Sequence, residues 1–184
     1  MGSRVPWARF GAGAVATQAY TNPALGPIVL ELMRKGLGVK EALTKALEGD
    51  PGRQYRQLAA ASWSGETACF TGRLVPAEHG EYALKTCVAI ANLVVSSSIP
   101  REMCRAFLEV LGEKHDHILA LLEALKAGHE EGGDKRGDRS AALLVVGKTS
   151  TLPYYDKLVD VRIDFSNNPV ADLTRVVEAL RGKV

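Results

Sequence analysis

The stretch TCVAIANLVV, residues 86 to 95, constrains this chain more than any other part of it. It is strand-like and apolar on both faces, with no alternation of polar and apolar positions. A strand of that kind is covered by other layers on both sides. The chain must therefore build a layered fold around it. Asn92 is the one strongly polar side chain in the run. A buried amide is either hydrogen-bonded or lines a cavity. It therefore has two readings: a satisfied core amide, or an N–H donor aimed at an oxyanion, as acyl-transfer sites use. Gln18, near the end of an earlier apolar stretch, poses the same question.

The remaining elements follow from periodicity and punctuation. A Pro6-Trp7 turn leads into a small-residue strand from Gly11 to Tyr20. Asn22-Pro23 supplies an N-cap and first-turn proline for a helix that stops at Gly36. A second helix covers Val39 to Leu47, and two strands, Gln57 to Ser62 and Glu66 to Thr71, meet at Ser64-Gly65. Ser98 and Pro100 start a helix to about Leu111, and another runs from about His115 to Ala127. Strands at Ala141 to Val146 and Leu158 to Ile163 precede a helix capped by Asn168-Pro169 and ending near Arg181. Strands grouped between helix pairs argue for layered α+β, with two sheets between helical layers, and not for alternating β-α-β units. No repeat or linker divides the 184 residues, so the chain reads as one domain, 1–184.

Composition excludes several classes. A net charge of +2 with no basic stripe argues against nucleic acid. No apolar run is long enough to span a membrane, and no basic-then-apolar leader opens the chain. Cys69, Cys87 and Cys104 are odd in number and widely spaced, which reads as buried reduced thiols in a cytoplasmic protein and not as a disulfide framework or zinc site.

Few motifs carry chemistry. Gly11-x-Gly13 lacks a third glycine and precedes its strand, so close strand packing explains it better than a dinucleotide does. His115 and His117 point apart on a helix and make no metal pair; no metal or cofactor is expected. Arg136-Gly137-Asp138 spells an adhesion tripeptide, read as chance in a chain without a secretion signal. Asp134, Arg136, Arg139 and Ser140 crowd a loop-to-strand junction, where Arg can clamp a carboxylate and Asp can hold that Arg. A solvated loop is the competing reading.

VPWARFGAGAVATQAYTNPALGP, ACFTG, AIANL, GGDKRGDRSAALLVV and VDVRIDFSNNPVADL occur in the order seen in the proteins called domain of unknown function 1028. The chain resembles that family from about Arg4 to Leu180. The resemblance implies the Ntn-hydrolase superfamily, a four-layer α-β-β-α sandwich, and hydrolysis of an amide in a small molecule or peptide. The superfamily's nucleophile is an N-terminal Thr, Ser or Cys whose α-amine, with a pKa near 8, is the general base. Asn92, Gln18, Asn22, Asp134, Arg136 and Ser140 match the family pattern and are the expected pocket residues, Asn92 as oxyanion donor. The chain departs from the pattern at Ala91, where the family has Gly, at Phe165-Ser166, where it has Asp-His, and at Glu78.

Family members open with a strand hairpin carrying a Thr after the initiator Met. Here Met1 stands where that hairpin should finish, a gap of roughly 20 residues for two strands and a turn. The fold is expected to be N-terminally shortened, and Met removal would leave Gly2, then Ser3, with no N-terminal nucleophile. Either the native chain starts further upstream or the activity is lost. The expected function is an Ntn amidohydrolase, inactive in this shortened chain. The alternative is a non-catalytic binding or assembly protein on the same scaffold. Incomplete sheet edges predict a homodimer.

Overall fold

The structure, a computed structural model, describes residues 4–182. Gly2 and Ser3, on which the N-terminal expectation falls, lie outside the described residues.

Four antiparallel strands form the first sheet in the order β1-β2-β3-β4: β1 (Pro6–Arg9), β2 (Gly13–Ala19), β3 (Arg56–Ser62) and β4 (Thr67–Thr71). The expected Pro-Trp turn is instead strand β1. Trp7 pairs with Val15, and Trp7 Nε1 donates to the Arg4 carbonyl at 3.1 Å. Gly13 explains the tight β2–β3 approach. It sits at φ +141°, and a Cβ there would meet the Ala61 carbonyl oxygen at 2.1 Å. Two helices, α1 (Leu25–Arg34) and α2 (Val39–Glu48), cover one face of this sheet. Val15, Leu58 and Ala60 pack there against Val29, Leu30, Val39 and Leu43. Asn22 does not cap α1 as expected. Its Oδ1 accepts from Ala24 N at 3.2 Å, closing an Asx turn that ends on the cap position, Ala24, two residues further on.

The opposite face carries the even-numbered β2 residues, which is why Gln18 turns away from the helices while Val15 meets them. Two further antiparallel pairs lie beyond it. β5 (His79–Leu84), which periodicity missed, pairs with β6 (Cys87–Asn92). β7 (Ala141–Val146) pairs with β8 (Lys157–Ile163). Helix α3 (Ile99–Lys114) and helix α4 (His117–Glu130) cover the β6 pair, with Ala89 against Phe107, Ala120 and Ala124. Helix α5 (Pro169–Arg181) joins α4 over β7–β8, where Leu173 and Val177 are fully buried.

The caps behave as their chemistry requires. Asp116, between the two histidines, accepts from Ile118 N and Leu119 N and starts α4. Asn168 accepts from Ala171 N and starts α5. Strand β6 stops at Asn92 because Leu93 takes φ +55°.

The cysteine expectation is corrected. Cys87 and Cys104 form a disulfide between β6 and α3. They are 17 residues apart in the chain, and the β6-to-α3 reversal brings their Cα atoms to 5.9 Å, a separation that spacing alone does not disclose. Cys69 is free and half-buried on β4. Among the described residues, no helix is long and apolar enough to cross a membrane.

Candidate active-site cleft

The β5–β6 pair and the β7–β8 pair are separate two-stranded sheets, and each turns one strand edge toward the same space. Between them lies a cleft of about 850 Å³, lined by Ile90, Ala91 and Asn92 of β6 and by Ala141 and Ala142 of β7. Its floor is apolar and helical: Ile99, Met103, Leu125 and Val170. Its roof is the first sheet, through Val5, Pro6 and Gln18. Polar groups gather around Gln18, Asn92, His129, Asp134, Arg136, Asp138 and Ser140.

The register explains the meeting of the two amides. Gln18 stands opposite Gln57 across the β2–β3 ladder, on the face away from α1 and α2. Asn92 reaches the same point from β6. Gln18 Nε2 donates to Gln57 Oε1 at 2.9 Å, and Asn92 Nδ2 donates to that same oxygen at 3.3 Å. Gln57 is itself 0% exposed. Asn92 therefore has a core partner, as a satisfied amide requires, and it also lines the cleft.

Each of these amides is followed by a residue in left-handed backbone. Ala19 has φ +65° and Leu93 has φ +55°. Non-glycine residues adopt that region at a cost, held in place by their surroundings, and such residues cluster at functional sites. The holding contacts are visible. Arg56 Nη1 donates to the Tyr20 carbonyl, and Tyr20 N donates to the Tyr55 carbonyl at 3.2 Å. Leu93 O accepts from Lys135 N at 2.9 Å, and Val94 bridges Asp134.

Asn22 does not line the cleft. It reaches a lining residue, Arg56, only through Asp50: Asn22 Nδ2 donates to Asp50 Oδ2 at 3.4 Å. Asp50 is only 5% exposed, and Arg56 clamps it through Nε at 2.8 Å and Nη2 at 3.2 Å. These guanidinium bonds hold the Asp50 carboxyl below its usual range, against the opposing effect of burial.

The 132–140 loop forms the remaining polar wall. Arg136 folds back on Asp134, Nε to Oδ1 at 2.9 Å and Nη2 to Oδ2 at 2.6 Å, and this lowers the Asp134 pKa. The expected Asp–Arg partnership thus forms within the loop. Asp138 shapes the same turn. Its Oδ1 accepts from Asp134 N at 3.1 Å and its Oδ2 meets His129 Nδ1 at 2.6 Å. Gly133, at φ +55°, has no room for a Cβ, which would lie 2.5 Å from Asp138 Oδ2.

Five of the six residues expected from sequence thus border one cleft: Gln18, Asn92, Asp134, Arg136 and Ser140. Sequence reasoning missed Gln57, Arg56, His129 and Asp138. Gln57 begins a predicted strand and carried no separate signal. Asp138 was in view within the Arg-Gly-Asp triplet, but its partner His129 lies nine residues away on α4. Among the described residues, no group of three or more His, Cys, Asp or Glu is placed to hold a metal ion.

A family model described as a family of unknown function, DUF1028, matches residues 1–173. The chain belongs to the DUF1028 family. Its structure is similar to the crystal structure of a protein from Silicibacter pomeroyi that carries the same family label. The TM-score is 0.83 at 29% sequence identity, covering 97% of this chain and 76% of that one. No curated protein matches the chain.

Proposed function

We propose that this DUF1028 chain is the body of an N-terminal-nucleophile amidohydrolase with α-β-β-α layering. Its substrate is an amide in a small molecule or peptide. The nucleophile is carried by a strand pair that completes a sheet between β6 and β7. One observation supports this above the others: two strand edges flank a cleft floored by helices and roofed by a sheet, with the polar residues grouped together. Strand edges offer unpaired N–H and C=O groups, and another pair of strands satisfies them.

In this reading the α-amine of the leading Thr takes the Thr Oγ proton as Oγ attacks the amide carbon. The Asn92 N–H not used by Gln57 donates to the developing oxyanion. Collapse of the tetrahedral intermediate returns the proton to the departing amine and leaves an ester on Thr. Water, deprotonated by the same amine, then attacks that ester; the bond to Thr Oγ breaks, the amine returns its proton to Oγ, and the acid is freed. Gln18, Ser140 and the Asp134–Arg136 pair border the acyl group, while Asn22 acts from behind by holding the Tyr20 turn. No cofactor enters the scheme. The homodimer also stays a proposal. The cytoplasmic reading rested on unpaired cysteines, and the Cys87–Cys104 bond removes that support.

The test compares two forms of the protein on a panel of amide substrates. One is the 184-residue chain, and the other is extended by a strand hairpin whose first residue after Met removal is Thr. The extended form is expected to turn over at least one amide and the shorter form none. Asn92→Ala in the extended form should lower kcat by about 100- to 1000-fold, the usual loss for one preorganised oxyanion donor. Equal turnover by both forms would overturn the N-terminal nucleophile. No turnover by either would favour a binding protein on the same scaffold.

A further inference from the structure

Gln57 has every hydrogen-bonding group of its side chain committed. Its Nε2 donates to Thr71 Oγ1 at 3.1 Å and to the Gly80 carbonyl at 3.2 Å. Its Oε1 receives the amides of Gln18 and Asn92. That uses two donors and two lone pairs, all that a glutamine amide owns. The side chain is fully buried, so no water replaces a lost partner.

The direction of these bonds is not free to reverse. The Gly80 carbonyl can only accept. Thr71 Oγ1 spends its own proton on Glu81 Oε2 at 2.6 Å, so toward Gln57 it also only accepts. A flipped Gln57 would set its oxygen against both. The amide orientation is thus dictated from the β4 and β5 side. It propagates to β2 and β6, where Gln18 and Asn92 must each turn an N–H, and not a carbonyl, toward Gln57.

We infer that Gln57 is the positioning residue of this site: by anchoring one N–H of Asn92 and one of Gln18, it decides which atoms both amides present to the cleft. Each is left with one N–H and one carbonyl oxygen. Both side chains are held by one atom that joins the first sheet to β6, so they move together. What the presented N–H groups are used for rests on the hydrolase reading; the orientation itself does not.

The experiment separates the two. Side-chain amides of the 184-residue chain are labelled with 15N at Asn and Gln and followed by NMR. In the unsubstituted protein, Asn92 and Gln18 should each show one slowly and one rapidly exchanging NH2 proton. The ratio should be roughly three- to tenfold, since one proton leaves only after its bond to Gln57 opens. Gln57→Met keeps the length of the side chain and removes the acceptor. There both inequivalences should vanish while the Asn22 amide, bonded to Asp50, stays unchanged. Free-amide exchange for all four protons in the unsubstituted protein would overturn the inference, and that arm needs no variant to fold. So would a folded Gln57→Met protein whose Asn92 and Gln18 signals do not move. In the Thr-extended form, Gln57→Met should lower kcat by roughly tenfold or more with little change in KM, because the oxyanion donor remains present but unaimed. If the extended form has no activity, the hydrolase reading fails and the NMR result still decides the role of Gln57.

Discussion

Replacing Asp50 by Asn removes one charge and turns one acceptor into a donor while leaving the side chain's shape. Four bonds converge on this carboxylate: Arg56 Nε at 2.8 Å, Arg56 Nη2 at 3.2 Å, Gly52 N at 2.9 Å and Asn22 Nδ2 at 3.4 Å. In Asp50→Asn the new NH2 faces donors on Arg56 or on Gly52, so at least one strong bond is lost whichever way the amide turns. The guanidinium is left without its counter-charge at a side chain only 18% exposed. Breaking a buried pair from one side costs about 3–5 kcal/mol. The residual access of water to Arg56 places this case near the lower end, at about 3 kcal/mol. For a chain of this size that lowers Tm by roughly 6–12 °C. The pH dependence follows from the sign of the shift. The native Asp50 pKa is lowered, so its stabilisation is fully present above the unfolded value of about 3.9 and is lost as pH falls through the native value. Urea unfolding of both proteins should therefore show a constant gap from pH 7 to about 5, narrowing once pH drops below about 4. A gap under about 0.5 kcal/mol at pH 7, the range of ordinary surface substitutions, would refute the reasoning. So would a gap that persists unchanged to the acid limit of folding.

Other expectations are simpler. Asn92→Ala is expected to cost the Thr-extended form about 100- to 1000-fold in kcat, measured by turnover, while leaving its circular dichroism unchanged. Gly13→Ala should destabilise by about 2 kcal/mol or more in thermal unfolding, because a Cβ there strikes the Ala61 carbonyl and the φ of +141° disfavours it. Thiol titration of the unfolded, unreduced protein should find one reactive cysteine, and reduction should raise that to three, since Cys87 and Cys104 are joined. The one free thiol, Cys69, is pushed up to about 11 by burial and then by Glu81, so iodoacetamide at pH 8 should alkylate it slowly until the chain unfolds.

Much of the local structure was legible because short-range chemistry decides it. Pro169 behind Asn168 starts α5, and Asp116 starts α4, through bonds made within three residues. Strand β7 spans Ala141–Val146 because a continuous apolar run has one reading at that length. Strands β1 and β5 were not legible. Pro6-Trp7 carries turn chemistry, and His79–Leu84 mixes Gly, Glu and Tyr; both are strands because β2 and β6 pair with them. The site divides in the same way. Asn92 stood out as a polar side chain in an apolar strand, and the Asp134–Arg136 pair is a contact between near neighbours. Gln57 could not stand out: its meaning comes from Gly80, 23 residues away, and Asn92, 35 residues away. The Cys87–Cys104 bond and the His129–Asp138 pair were invisible for the same reason. Burial and hydrogen-bond saturation depend on which surfaces meet. Among the described residues that is settled by the packing of three sheets and five helices, after the local rules have been used up.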